Sequence, residues 1–65
     1  MKATTVYIDY AGGKFEGWFY CDGKRIGKSF YSINEVKRWA VRVTGYPQRD
    51  IKFVTTDTAA AKNSR

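Results

Sequence analysis

The chain has 65 residues, of which 12 are Lys or Arg and 6 are Asp or Glu, so its formal net charge is +6. That length allows one domain with a small core, and a content of 43% hydrophobic and 17% aromatic residues excludes a disordered chain. A single Cys and the lack of His exclude an intramolecular disulfide and a Cys/His zinc site, so we expect neither a metal nor a cofactor.

A first strand is predicted from Ala3 to Tyr10, where apolar and polar side chains alternate. Gly12-Gly13 then predicts a two-residue turn, which places Tyr7 opposite Trp18 on the second strand. In this register the apolar side chains of both strands share one side of the sheet, namely Val6, Ile8, Tyr10, Phe15 and Phe19.

Asp22-Gly23 predicts a second two-residue turn, because both central residues of such a turn adopt positive φ. The resulting register gives the hairpin one apolar side with Phe15, Phe19, Ile26 and Phe30. Its other side carries Trp18, Tyr20, Arg25 and Tyr31. The two turns agree on which side of the middle strand is apolar, which predicts a three-stranded antiparallel meander.

An amphipathic helix is predicted between Ser32 and Gly45. Ser32 and Glu35 have the spacing of a capping box, and Gly45 marks the end of the helix. Gly17 lies in the middle of the covered side of the sheet, where its missing side chain lets the helix approach closely. The apolar stripe that covers the sheet is predicted to comprise Ile33, Val36, Ala40 and Val43, with Trp39 at its border.

Residues 50–55 predict a short fourth strand with Ile51 and Phe53 inward, parallel to the first or the third strand. Residues 58–65 have neither periodicity nor large apolar side chains and are expected to form a flexible C-terminal tail. The predicted fold is an α+β domain over residues 1–57, in which a three-stranded antiparallel β-meander packs on one α-helix and a short fourth strand follows (βββαβ).

The open face, the side of the sheet away from the helix, is predicted to collect Tyr7, Trp18, Tyr20, Arg25 and Tyr31, with Thr5 and Ser29. Flat rings stack on bases, and basic groups contact phosphates. Together with the net charge, this predicts a nucleic-acid-binding domain. The candidate binding residues are Tyr7, Lys14, Trp18, Tyr20, Lys24, Arg25, Ser29 and Tyr31.

Two other interpretations of the open face stay open. The exposed rings fit an interface with another protein or with a second copy of this chain, which would form a homodimer. Alternatively, cross-strand pairs such as Tyr7 with Trp18 only stabilise a thin sheet.

The remaining charged groups are weaker candidates. Asp9 faces Glu16 on the open face, and paired carboxylates can act as acid and base. Because the chain lacks His, a nucleophile beside a base and a Gly-rich phosphate loop, we expect that it is not an enzyme. Arg38 and Arg42 lie one helical turn apart, with Glu35 three residues before Arg38, and a solvated helix face with local pairing is favoured over a second binding site.

About half the chain combines an aromatic strand, a turn with Gly and basic residues, a strand ending in an aromatic residue and a capped helix, within the segment WFYCDGKRIGKSFYSINEVKRWA from Trp18 to Ala40. This pattern resembles the small amino-terminal domains of phage and transposon integrases, which pack a three-stranded sheet on one helix. In that family the open face of the sheet enters the DNA major groove. The resemblance implies DNA rather than RNA as the ligand, with contacts from Trp18, Tyr20, Arg25 and Ser29. The predicted fourth strand and the two acids on the open face differ from that family.

Size and charge also suit an alternative function, a phage- or mobile-element-encoded regulator that binds and inhibits a host protein through the same face. The first ten residues lack a continuous apolar segment, and no stretch approaches the roughly 18 apolar residues of a membrane span. A lone Cys fits a reducing compartment. We therefore expect a cytoplasmic protein that does not associate with membranes.

Overall fold

Four strands and two helices follow one another in the order β1 (Thr4–Ala11), β2 (Lys14–Cys21), β3 (Lys24–Phe30), α1 (Ile33–Thr44), a 3₁₀ turn (Gln48–Asp50), β4 (Ile51–Thr55) and α2 (Asp57–Asn63). These elements come from a computed structural model that describes residues 4–63. The strands form one mixed sheet in the order β3-β2-β1-β4. The prediction of an α+β fold with an antiparallel meander, a helix and a fourth strand is confirmed at this level, and a second helix is added to it.

The register of the first three strands is set by the two turns. Gly12 and Gly13 have φ values of 62° and 82°, and Asp22 and Gly23 have values of 53° and 80°, as two-residue hairpin turns require. Both predicted registers are confirmed. Tyr7 pairs with Trp18 between β1 and β2, and Phe19 pairs with Ile26 between β2 and β3.

Helix α1 is capped at both ends by local hydrogen bonds. The Ser32 hydroxyl accepts from the Glu35 amide at 3.2 Å. The Glu35 carboxylate reaches back past Ser32 and accepts from the Tyr31 amide at 3.1 Å. At the other end Gly45 adopts a φ of 76° and donates its N–H to the Val41 carbonyl. The predicted start and end of the helix are confirmed, because both depend on residues within four positions of each other.

The core lies between the sheet and the helices, and α1 contributes three of its buried residues, Ile33, Val36 and Ala40. Two residues predicted to help cover the core are partly exposed, Val43 by 44% and Ile26 by 40%, although the observed register keeps Ile26 on the predicted side of the sheet. Both lie towards the end of the sheet next to the Asp22-Gly23 turn. There the last turn of α1 leaves a groove of about 550 Å³ that Val43 lines. The helix therefore covers this end of the sheet only partly.

Gly17 lies at a position where α1 packs closely on the sheet. A Cβ atom at this position would overlap Cγ1 of Val36 and lie 3.4 Å from Cζ3 of Trp39. The predicted role of Gly17 is confirmed, and Val36 rather than Trp39 sets the limit.

Strand β4 pairs with β1 in parallel, one of the two arrangements that the sequence left open. Ile51 is buried and Phe53 packs against the core, so the predicted inward side of this strand is confirmed. The pairing leaves β3 and β4 as the two edges of the sheet.

The chain after Thr56 differs from the irregular tail predicted for residues 58–65. Residues 57–63 form α2, and Ala59 on this helix is fully buried in the core. The Thr56 hydroxyl accepts from the Ala59 amide and donates to the Asp9 carboxylate, so it ties the start of α2 to β1. The core therefore extends beyond residue 57, while residues 64–65 of the predicted tail lie outside the described residues.

The longer of the two helices has 12 residues. Between residues 4 and 63 no helix has the length and apolar character needed to cross a membrane.

Candidate nucleic-acid interface

The observed registers place seven of the eight predicted site residues on the open face: Tyr7, Lys14, Trp18, Tyr20, Arg25, Ser29 and Tyr31. Side chains alternate between the two sides of a strand, so the inward position of Phe30 on β3 assigns Lys24 to the side of α1. Lys24 lies next to the Asp22-Gly23 turn and is exposed. It belongs to the edge of the candidate site and not to its surface.

A row of three side chains crosses the centre of the open face. The rings of Tyr7 and Trp18 are stacked with centroids 5.7 Å apart and an interplanar angle of 22°. The Arg25 guanidinium lies 4.9 Å from the centre of the Trp18 ring. Because β2 lies between β1 and β3, Trp18 is flanked by Tyr7 on one side and by Arg25 on the other.

This arrangement changes the role expected of Trp18. The indole is only partly exposed, since neighbours from both adjacent strands lie against it. A base could stack on it only after Arg25 or Tyr7 had moved. Gly27 is the direct cross-strand partner of Trp18, so no side chain on β3 stands opposite the indole. Trp18 therefore acts as a support that holds Arg25 above the sheet.

Arg25 also contacts an acidic residue. Its Nη2 lies 3.4 Å from Oε2 of Glu16, and both side chains remain substantially exposed, by 51% and 39%. An exposed ion pair of this kind contributes little to stability, about 0 to 1 kcal/mol. Its main effect is on position, because Glu16 and Trp18 together restrain a long and flexible side chain.

Tyr20 and Tyr31 present the most accessible rings of the open face. Tyr20 is 59% exposed and Tyr31 is 75% exposed. The Lys14 ammonium lies 5.2 Å from the centre of the Tyr31 ring, so a ring and a cation occur together at that position. Neither tyrosine has an aromatic neighbour against its ring among residues 4–63. The Tyr20 ring is open to a ligand, and the Tyr31 ring is open except on the face over which the Lys14 ammonium lies.

These two rings lie near opposite ends of the hairpin. Tyr20 pairs with Arg25, and Tyr31 follows Arg25 by six residues along the chain. At a rise of about 3.4 Å per residue, the two positions are about 20 Å apart. Arg25 and Ser29 lie along this line and can contact whatever spans it.

Asp9 and Glu16 are cross-strand neighbours, as predicted, but they bind different partners. Oδ1 of Asp9 accepts from the Thr56 hydroxyl and from the Tyr10 amide, both at 2.7 Å. These hydrogen bonds, that of Thr56 first, hold the pKa of the Asp9 carboxyl below its usual range. Glu16 contacts Arg25. The pair therefore has structural roles, one at the start of α2 and one beside the aromatic row.

The open face carries little net charge. Lys14, Arg25 and Lys52 project from it, but Asp9 and Glu16 offset two of these charges. In residues 4–63 no three His, Cys, Asp or Glu side chains group in a way that could hold a metal ion. Recognition at this face would therefore depend on ring stacking and a few placed cations.

Reasoning from the sequence missed three features of this region. It did not place Arg25 against Trp18, because cross-strand diagonal contacts depend on side-chain conformation. It did not find α2, although Thr56-Asp57 before three alanines is a helix start followed by strong helix formers. It also did not group Lys28 with the two arginines of α1, which belong to different elements.

The chain was compared with protein-family models, with curated protein sequences and with solved structures, and none of the three comparisons found a match. The interpretation of the open face therefore depends on its geometry and chemistry.

Proposed function

We propose that this protein is a nucleic-acid-binding domain that holds a single strand against its open face, with DNA favoured over RNA. The observation that carries the proposal is the pair of exposed rings, Tyr20 and Tyr31, at the two ends of a face that also carries Lys14 and Arg25. Exposed rings on a sheet stack on bases, and nearby cations contact the backbone.

The residues have separate roles in this proposal. Tyr20 and Tyr31 stack on bases, and Trp18 holds Arg25 in place between them. Lys14 contacts a phosphate next to the base on Tyr31. The remaining predicted residues assist: Tyr7 supports the Trp18 ring, Ser29 supplies a hydroxyl, and Lys24 contributes charge beside Tyr20 at the turn.

The spacing of the rings sets the length of the ligand. A separation of about 20 Å corresponds to about six nucleotides at the duplex rise of about 3.4 Å per nucleotide, and to fewer in a more extended single strand. A single strand is favoured because the bases of a duplex are stacked on each other and present no free ring surface to a tyrosine. The preference for DNA comes from the resemblance to integrase domains, although the major-groove mode of that family is not required here.

One observation favours a second function. Val54 is 38% exposed on β4 beside Tyr7, and it extends the aromatic surface with an aliphatic residue. Aliphatic and aromatic side chains together are typical of protein interfaces. The alternative is therefore a phage- or mobile-element-encoded regulator that binds a host protein through the open face, or a homodimer formed through it.

Fluorescence anisotropy with labelled single strands of 4, 8 and 12 nucleotides tests the proposal. Affinity should rise sharply between 4 and 8 nucleotides, when both rings can be engaged. Tyr20→Ala and Tyr31→Ala should each weaken binding of the 8-mer by about 1 to 3 kcal/mol. Tyr20→Phe and Tyr31→Phe are matched controls that keep the ring, and they should retain the affinity.

The same assay separates the alternatives. A duplex and an RNA strand of equal length should bind more weakly than the DNA strand. Lys14→Ala should reduce the dependence of log K on log salt by about 0.7, which is the value for one phosphate contact on a single strand. The proposal is wrong if no oligonucleotide binds at low ionic strength, or if the alanine variants bind like the wild type. A dimer in sedimentation that Val54→Asp dissociates would instead assign the face to a protein interface.

A further inference from the structure

A groove runs between the edge strand β3 and helix α1, on the side of the sheet opposite the open face. It has a volume of about 190 Å³ and is lined by Lys28, Phe30, Glu35, Arg38, Trp39 and Arg42. We call it the α1–β3 groove. Three of its six lining residues are cationic and two are aromatic, a composition that the predicted function does not explain.

Among residues 4–63 the cations of the α1–β3 groove form no ion pair, although Glu35 is one of the residues that line it. The ion pair observed in this part of the chain is that of Arg25 with Glu16. The sequence predicted for Glu35 both a role in the capping box and local pairing with the arginines of α1. In the structure its carboxylate accepts from the Tyr31 amide at 3.1 Å and from the Ser32 hydroxyl at 3.4 Å, so it serves the helix cap.

The groove places these cations in defined positions. Arg38 and Arg42 lie one turn apart on a helix that is capped at both ends, and like charges at this spacing destabilise a helix. The rings of Phe30 and Trp39 pack 5.8 Å apart beneath them. The Lys28 ammonium lies 5.8 Å from the centre of the Phe30 ring. An apolar floor of this kind supports the aliphatic stems of the cations and leaves their charged ends towards solvent.

We propose that the α1–β3 groove binds a backbone phosphate of the nucleic acid, with Arg38 and Arg42 as paired donors and Lys28 as a third cation. The groove, of about 190 Å³, has room for a phosphate group, and its three cationic lining residues favour that anion. Guanidinium groups bind phosphate oxygens with directed hydrogen bonds, and Lys adds a point charge.

The position of β3 connects the two surfaces. It is an edge strand, and its side chains alternate between Arg25 and Ser29 on the open face and Lys28 on the groove side. A nucleic-acid strand that passes from the open face across this edge of the sheet reaches the α1–β3 groove directly. The inference rests on the proposed function for its ligand, but it concerns a different set of residues.

The test compares two double variants with equal loss of charge. Arg38→Gln/Arg42→Gln removes the paired donors, and Arg49→Gln/Lys62→Gln removes two exposed cations outside the groove. Binding of a 12-nucleotide DNA strand is measured by anisotropy across a salt series. The groove variant should lower the slope of log K against log salt by about 1.4 and weaken binding about tenfold or more at low salt. The control should change the slope by less than about 0.5.

Two further variants separate the effect of charge from that of directed hydrogen bonds. Arg38→Lys/Arg42→Lys keeps both charges and should retain most of the salt slope while losing part of the affinity, because Lys cannot form the directed pair of hydrogen bonds. Lys28→Gln should lower the slope by about 0.7. Thermal melts show that each variant is folded, and none of these side chains is buried. Equal effects of the groove and control variants, or no effect of either, would overturn the proposal.

Inorganic phosphate and an acidic peptide test which class of anion the α1–β3 groove binds. Inorganic phosphate titrated alone should shift the arginine side-chain NMR signals of Arg38 and Arg42 weakly, and the 12-mer should shift them at far lower concentration. If phosphate shifts them and the 12-mer does not, the groove binds a free phosphate compound and the assignment to a backbone is wrong. A polyglutamate peptide that competes as strongly as DNA would assign the groove to an acidic protein.

The two proposals fail in distinguishable ways. If Tyr20→Ala and Tyr31→Ala lose binding and the groove double variant binds like the wild type, the open-face proposal stands and the groove proposal is wrong. Loss of binding on the groove variant, with both tyrosine variants unchanged, would keep the groove as a phosphate site and refute the open face as the contact surface.

Discussion

Replacement of Gly17 by Ala tests how closely α1 packs on the sheet that carries both candidate sites. Gly17 does not have a positive φ, so its backbone accepts Ala without strain, and the reduced freedom of the unfolded chain would stabilise the protein by about 0.4 to 1 kcal/mol. Against this, the new Cβ overlaps Cγ1 of Val36, which is fully buried.

The clash is expected to dominate. Val36 is β-branched and has a restricted side-chain torsion in a helix, so it cannot turn away, and α1 has to shift instead. Overpacking of this kind costs about 1 to 3 kcal/mol. The net effect of Gly17→Ala is therefore a loss of about 0 to 2.6 kcal/mol in the free energy of unfolding, after the gain from the unfolded state is subtracted.

A second substitution isolates the clash. Val36→Ala removes the overlapping atom and leaves a cavity, at a cost of about 2 to 3 kcal/mol. In that background Gly17→Ala has room for its methyl group, so it should be neutral or slightly stabilising. The double-mutant cycle should then give a favourable coupling energy of about 1 kcal/mol or more between the two positions.

Urea denaturation followed by circular dichroism measures all four proteins, and thermal melts provide a check at about 4 to 8 °C per kcal/mol for a domain of this size. An equal loss from Gly17→Ala in both backgrounds would show that Val36 is not the obstacle. A gain in stability from Gly17→Ala alone would refute the close approach of α1 to β2.

Three further predictions concern the caps and α2. The pKa of the Asp9 carboxyl is lowered in the folded state, so the ionised group stabilises the fold fully above the unfolded pKa of about 3.9. This stabilisation is lost as the pH falls through the lower folded pKa. In denaturant titrations between about pH 5 and pH 2, wild type should therefore lose more stability than Asp9→Asn. Parallel curves would contradict this. Ser32→Ala should cost about 1 kcal/mol in urea denaturation, and Ser32→Gly only a few tenths, because glycine is itself a tolerated cap; equal losses would contradict the capping role. Ala59→Asp should cost about 2 kcal/mol or more by placing a carboxylate in the core, whereas Ala60→Asp, exposed on the same helix, should change stability by less than about 0.5 kcal/mol. Equal melting temperatures for these two variants would show that α2 is not docked.

The candidate site could be predicted in part. The sequence placed Tyr7, Trp18, Tyr20 and Arg25 on one face, because alternation along a strand follows from two turn dipeptides. The sequence did not show which of these side chains are exposed and which are covered by neighbours. Whether a ring is free or covered depends on contacts between side chains of different strands, and these make Trp18 a support while Tyr20 stays exposed.

Features that depend on neighbouring residues could be predicted from the sequence. The turns at Gly12-Gly13 and Asp22-Gly23, and the caps of α1 at Ser32 and Gly45, follow from backbone preferences and hydrogen bonds over a few positions. Registers and the direction of the apolar face follow from these. The order of β1, β2, β3 and α1 was therefore predictable.

Features that depend on where separate elements meet could not be predicted from local patterns, because they arise from contacts between distant parts of the chain. The partner of β4, the exposure of Val43 and the docking of Ala59 all depend on how far each element extends over the sheet. The meeting of Lys28 on β3 with Arg38 and Arg42 on α1 is of the same kind, because the side chains that line the α1–β3 groove come from two elements whose approach is set by the core.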